Sequence, residues 1–197
     1  MSIFDGLSEC WLLGETCVVN WEAWSAIGTV TAVFAAVLAP AIQRRFVRRR
    51  INALFAASVD EEIAAAERNI RRMAADYPIG QGGESGVEAE ASLMEEAYHR
   101  RQYANLGRTL ESFISTDIDL TRWAAVDLTL TSDFARAIHF TKAVVQGAQS
   151  VEHPGDGSSW QEYFSEQNFA LHEALTAVMR ARKSCRKALI SSAWYVS

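Results

Sequence analysis

The chain has 197 residues, 49% of them hydrophobic and only three of them proline, with a formal net charge of -5. That composition excludes a disordered chain. The charge excludes a nucleic-acid binder, because no basic surplus is left to neutralise phosphates. The length allows one or two domains. Once the first 50 residues are set aside, roughly 150 remain, enough for one domain with a real core.

Residues 1–20 form a short outer segment. Ile3, Phe4, Leu7, Trp11, Leu12 and Leu13 make it too apolar for a free tail, and it is too small to hold a core of its own. Cys10 and Cys17, with Gly14 between them, are a candidate disulfide loop if this segment faces an oxidising space; two free thiols are the alternative. Their spacing does not match the usual zinc pattern.

The next stretch, residues 21–43, is predicted to be a transmembrane helix. Ser25 to Ile42 contains no charge, and Trp21 and Trp24 stand where indole rings prefer to lie, at the membrane interface. Five arginines follow: Arg44, Arg45, Arg48, Arg49 and Arg50. No Lys or Arg precedes them, whereas Asp5, Glu9, Glu15 and Glu22 are acidic. The basic-side-inside bias therefore puts the N-terminus outside and residues 44–197 in the cytoplasm, as expected of a single-pass inner-membrane protein. A secretory signal, suggested by Ala39-Pro40-Ala41, would need a basic region ahead of its apolar core. The remaining alternative is an Ala-rich buried helix of a soluble protein. Gly28, Ala32 and Ala36 recur at every fourth position, a small-residue face of the kind that lets helices approach in lipid. With one span per chain, such an approach would make a homo-oligomer.

Residues 44–197 read as about four helices in an up-down bundle, so the fold class is all-α. The first runs over about 41–76, with Phe46, Ile51, Leu54, Phe55, Ile63, Ile70 and Met73 at helical spacing and Pro40 as a candidate kink. Pro78 and the glycine-rich run 80–86 end it. The second covers 87–114, with Leu93, Ala97, Ala104, Leu110, Phe113 and Ile114 as its stripe. The third region, 117–151, is one kinked helix or two shorter ones, with Ser132 or Asp133 as a candidate N-cap. The turn at 153–159 precedes a last helix from Trp160 to Trp194, for which Ser159 and Glu162 form a capping box. Its stripe is Trp160, Phe164, Leu171, Leu175, Val178, Met179 and Leu189. In an up-down order the basic groups near Arg108, Arg122 and 180–187 would lie towards the anionic inner leaflet, and the acidic loops away from it.

Motifs for chemistry are sparse. Glu96 and His99 have the spacing of a metal-ligating helix pair, but no second copy exists, and no metal or cofactor is expected. The glycine-rich run lacks the Lys-Ser/Thr of a phosphate loop. His139 and His172 sit in helical patterns and His153 in a turn. Cys185 lies among Lys183, Arg186 and Lys187, which would lower a thiol pKa if it were exposed to them. No motif matches a particular family. The layout alone is similar to small bacterial single-pass proteins, including membrane effectors encoded beside phage-defence systems. The expectation is a non-enzymatic, oligomeric scaffold or membrane effector whose partners are membrane lipids, copies of itself and an unidentified protein. The alternatives are an enzyme with an unrecognised site and a sensor acting through the outer segment.

Overall fold

The computed structural model describes residues 21–116, 123, 125–152 and 159–193. The described residues are helical, without a strand. The outer segment with Cys10 and Cys17, the turn with His153, and Arg122 and Trp194 lie outside them. In chain order the elements are α1 (Trp21–Asp76), α2 (Gly83–Glu95), α3 (Ala97–Arg108), α4 (Glu111–Ile114), α5 (Leu128–Ser150) and α6 (Trp160–Ala193). The chain divides into two compact units at Val47.

The first unit, described from Trp21, consists of the first half of α1, which continues through Pro40 as helix. Every described side chain from Trp24 to Arg50 is exposed. The second unit, Arg48–Ser197, holds the core.

Side-chain contacts fix the topology of that unit. Between α1 and α6 the contacts are Glu67–Arg182 and Arg71–Met179, joined by Gly80–Asn168 just past the end of α1. The residue numbers of each pair add to nearly the same total, the mark of antiparallel helices. The same holds for α5 and α6, through Tyr163–Gly147, Gln167–Val144 and Ser184–Asp133. It holds again for α1 and the segment after it, through Tyr77–Tyr103, Asn69–Thr109 and Glu62–Thr116. Asn52–Asp127 and Phe55–Phe134 instead make α1 and α5 parallel. The order is up-down-up-down, as the alternating short connections predict.

The core is built from the expected stripes with several differences. Phe55, Ile63, Ile70 and Met73 of α1 are buried, and so are Leu93, Leu110, Phe113, Phe134, Phe164, Leu171 and Val178. Leu54, Phe46 and Met179 point outward instead. Val59 of α1 and Tyr103 of α3 fill core positions that the sequence pattern did not nominate.

The second predicted helix is in fact three. Glu96 takes an extended conformation (φ -110, ψ 115) between α2 and α3, although no glycine or proline is there. Arg100 reaches back to the carbonyls of Leu93 and Met94, at 3.1 and 3.0 Å, and satisfies the exposed C-terminal end of α2. A second break follows at Thr109 and Leu110. In the third region, α5 starts earlier than either nominated cap. Asp127 caps it by accepting from the Thr129 N–H at 2.8 Å, and Asp133 is engaged by the Ser184 hydroxyl at 2.7 Å. At α6, Ser159 accepts from the Glu162 N–H at 3.4 Å, one half of the expected capping box.

Candidate functional site

One feature of α1 sets it apart from the helices of the core. Its 24–43 portion is exposed on all sides and carries no charge: Val30, Val33, Phe34, Val37 and Ile42 occupy about half of its circumference, with Val37 67% exposed, and small residues including Gly28, Ala32 and Ala36 occupy the other half. An uncharged helical surface of this length belongs in a core or in lipid, and among the described residues no core covers it. Its most apolar 18-residue window has a mean hydropathy of 1.9, and none of that window is buried. Among the described residues it is one helix long and apolar enough to cross a membrane. The Thr29 hydroxyl is satisfied within the helix, donating to the Ser25 carbonyl at 2.8 Å, as a hydroxyl in a medium without water requires.

The residues nominated from sequence fall along this element. Trp21 is the first residue of α1. Trp24 is about half exposed at the N-terminal end of the apolar portion. Arg44, Arg45, Arg48, Arg49 and Arg50 follow it and are exposed. Gly28, Ala32 and Ala36 are exposed, and a Cβ added at Gly28 would meet nothing within 4 Å. Among the described residues nothing covers this face.

The second unit has a strongly polarised charge distribution. Arg48, Arg49 and Arg50 lie at the end where α1 enters it; the antiparallel α6 brings Lys183, Arg186 and Lys187 to the same end. The opposite end, where Asn168 meets Gly80, carries α2 with Glu84, Glu88, Glu90 and Glu95. Arg108 does not join the basic end as expected. It pairs with Glu152 at 2.7 Å, because α3 crosses α5 near the latter's C-terminus.

The acidic end contains a cleft of about 590 Å³ lined by Asp76, Tyr77, Glu88, Tyr98, His99 and Gln102, among others. His99 Nδ1 lies 3.3 Å from the Tyr77 hydroxyl and His99 Nε2 lies 3.5 Å from Glu96. Glu96 sits in the extended break ahead of α3 and His99 in its first turn, so the pair does not project from one helix face. No group of three or more His, Cys, Asp or Glu side chains suited to a metal occurs among the described residues. Burial, then the nearby Asp76 charge and Tyr98, raise the pKa of Tyr77, so its hydroxyl is a poor nucleophile at neutral pH.

The remaining candidates do not line this cleft. His139 and His172 are exposed on α5 and α6. Cys185 is fully buried, and its pKa is pushed up to about 11 by burial and by Asp60 and Asp133, not lowered by the adjacent basic residues. The two lysines and the arginine beside it point outward, while the carboxylates come from α1 and α5, so of the two roles open to it from sequence the structural one fits. Comparison with known proteins adds no assignment: no family model, curated protein or solved structure matches the chain.

Proposed function

We propose that the 21–43 portion of α1 spans a bacterial inner membrane once, with residues 1–20 outside and the helical unit in the cytoplasm. In this reading the protein acts as an oligomeric scaffold or membrane effector without catalysis of its own. The observation that carries it is the fully exposed, uncharged and largely apolar helix ending in five arginines. Exposed to water, this surface would be far larger than the apolar patches soluble monomers tolerate. In lipid it needs no covering. The arginine block supports the sidedness, since basic residues near a span are retained on the cytoplasmic side.

The direct test is fractionation. The wild-type chain is expected in the membrane pellet after alkaline carbonate washing. Ala32→Arg places a cation near the centre of the span, which costs about 2.5–3.5 kcal/mol and shifts insertion by roughly two orders of magnitude. The variant should move to the supernatant or to inclusion bodies. A wild-type chain that is monodisperse and monomeric in detergent-free buffer would sink the proposal. Sidedness is read with the native cysteines. After mild reduction, an impermeant maleimide applied to intact spheroplasts should label Cys10 and Cys17; labelling of these two only after lysis would reverse the orientation.

Assembly rests on the small-residue face. Gly28→Leu and Ala32→Leu should weaken or abolish crosslinked oligomers in membranes while leaving the pellet fraction unchanged. Oligomers of unchanged size in both variants would remove this face from the mechanism.

A further inference from the structure

The segment from Met73 to His99 holds six carboxylates, at Asp76, Glu84, Glu88, Glu90, Glu95 and Glu96, and no Lys or Arg. Taking its charge of -6 from the whole chain's -5 leaves about +1 everywhere else, so the negative surplus of the protein is gathered in this one stretch. The structure displays it. α2 buries only Gly86, Ala89 and Leu93. At about 100° per residue, these three share one face and leave the opposite face free. That outer face carries Val87, Ala91 and Met94 in one row and Glu84, Glu88 and Glu95 in the row beside it, all exposed. Val87 is 63% and Met94 46% exposed. None of the three glutamates has an ion-pair partner among the described residues. A shallow depression runs along Gly83, Glu84, Val87, Glu88 and Ala91, and Glu88 also lines the cleft that holds Tyr98 and His99.

An apolar row flanked by unneutralised carboxylates selects its partner by charge. Polyanions are repelled, which removes nucleic acid and an anionic lipid surface. We infer that the outer face of α2 is a docking site for a separate protein that presents a basic amphipathic helix. The partner's apolar side chains cover Val87 and Met94, and its Lys or Arg heads meet Glu84, Glu88 and Glu95.

The chain's own basic surface is not that partner. Lys183 and Lys187 lie on α6 some 22–29 Å beyond Asn168, the α6 residue that touches Gly80 at the acidic end. Copies anchored through α1 in the same membrane stand at the same height, so these two faces do not meet. This step rests on the membrane reading above and deepens its interaction role by naming the partner's chemistry.

The test uses the full chain in neutral detergent, with empty micelles as blank, and a labelled fourteen-residue leucine–lysine peptide with leucines at helical spacing. Binding is read by fluorescence anisotropy. A leucine–glutamate peptide of the same pattern should bind at least tenfold more weakly. The variant Glu84→Lys/Glu88→Lys/Glu95→Lys should lose at least tenfold in affinity for the basic peptide. Val87→Ser/Met94→Ser should lose at least threefold. These positions are exposed, so unchanged far-UV circular dichroism is expected in both variants. Equal affinity of either variant and the wild type, or equal affinity for the two peptides, overturns the proposal. Loss of the native oligomer in the charge-reversed variant also overturns it, because a second copy would then occupy this face. Failure of the span would show in carbonate fractionation and leave the peptide titration unaffected, so the two readings fail separately.

Discussion

Glu67 shows how a single side chain is decided by its neighbours. It is 5% exposed on α1, and Arg182 of α6 and Arg71 one turn along α1 both reach its carboxylate. The Arg71 contact was legible as an i,i+4 pair, but Arg182 is 115 residues away in sequence. The two arginines differ in energetic weight. Arg71 is more than half exposed, so Arg71→Ala should cost well under 1 kcal/mol. Glu67→Ala leaves the partly buried Arg182 without its carboxylate and should cost roughly 2–3 kcal/mol, read as chemical unfolding in detergent. Cys185 makes a second prediction at this scale. Its folded pKa of about 11 lies above its ordinary value of 9.0, so the neutral thiol is favoured by folding. That contribution is fully present below pH 9 and is lost as pH rises towards 11, because the unfolded chain ionises first. Its size is on the order of 2 kcal/mol. Cys185→Ser should flatten the stability profile in that window, and the wild-type thiol should resist maleimide until the bundle unfolds.

Between elements, the decisive contacts are close approaches that no propensity scale contains. Gly107 lets α3 lie against α5, where an added Cβ would come within 2.6 Å of the Ala148 Cβ. Replacing a helical glycine by alanine normally stabilises by up to about 1 kcal/mol, and by less in a last turn such as this one. Here overpacking of about 1–3 kcal/mol opposes it, since neither methyl can rotate away. Gly107→Ala should therefore be net destabilising in thermal unfolding, and Gly107→Ala/Ala148→Gly should recover most of the loss. The break at Glu96 belongs to this scale too. Nothing in the local sequence stops a helix there, and the sequence pattern runs on to Ile114. Arg100 closes α2 by binding its last carbonyls, and burial of Leu93, Tyr103 and Ala104 sets the two helices at separate angles of approach to the core. The cleft beside Tyr98 and His99 exists because of that break.

For the whole molecule, the sequence by itself determined the all-helical class, the up-down order and the long apolar N-terminal helix with its arginine block. Each of these follows from local pattern: 3.6-residue periodicity, short polar connections, and an uncharged run from Ser25 to Ile42 with basic residues on one flank only. Sequence periodicity also placed most of the core, from Phe55 to Val178, because a helix has one inward stripe and its spacing is rigid. What only the tertiary structure decided depends on partners distant in sequence. It divided the second helical region into α2, α3 and α4, gave Asp127 rather than Ser132 or Asp133 the cap of α5, turned Leu54 and Met179 outward, and put Cys185 beside two carboxylates. It also left α2 with a second apolar row facing solvent, which periodicity alone would assign to a core. The physical reason is the same throughout. A helix's period tells which residues share a face, but which face is covered, and by what charge, is settled only when the other helices arrive.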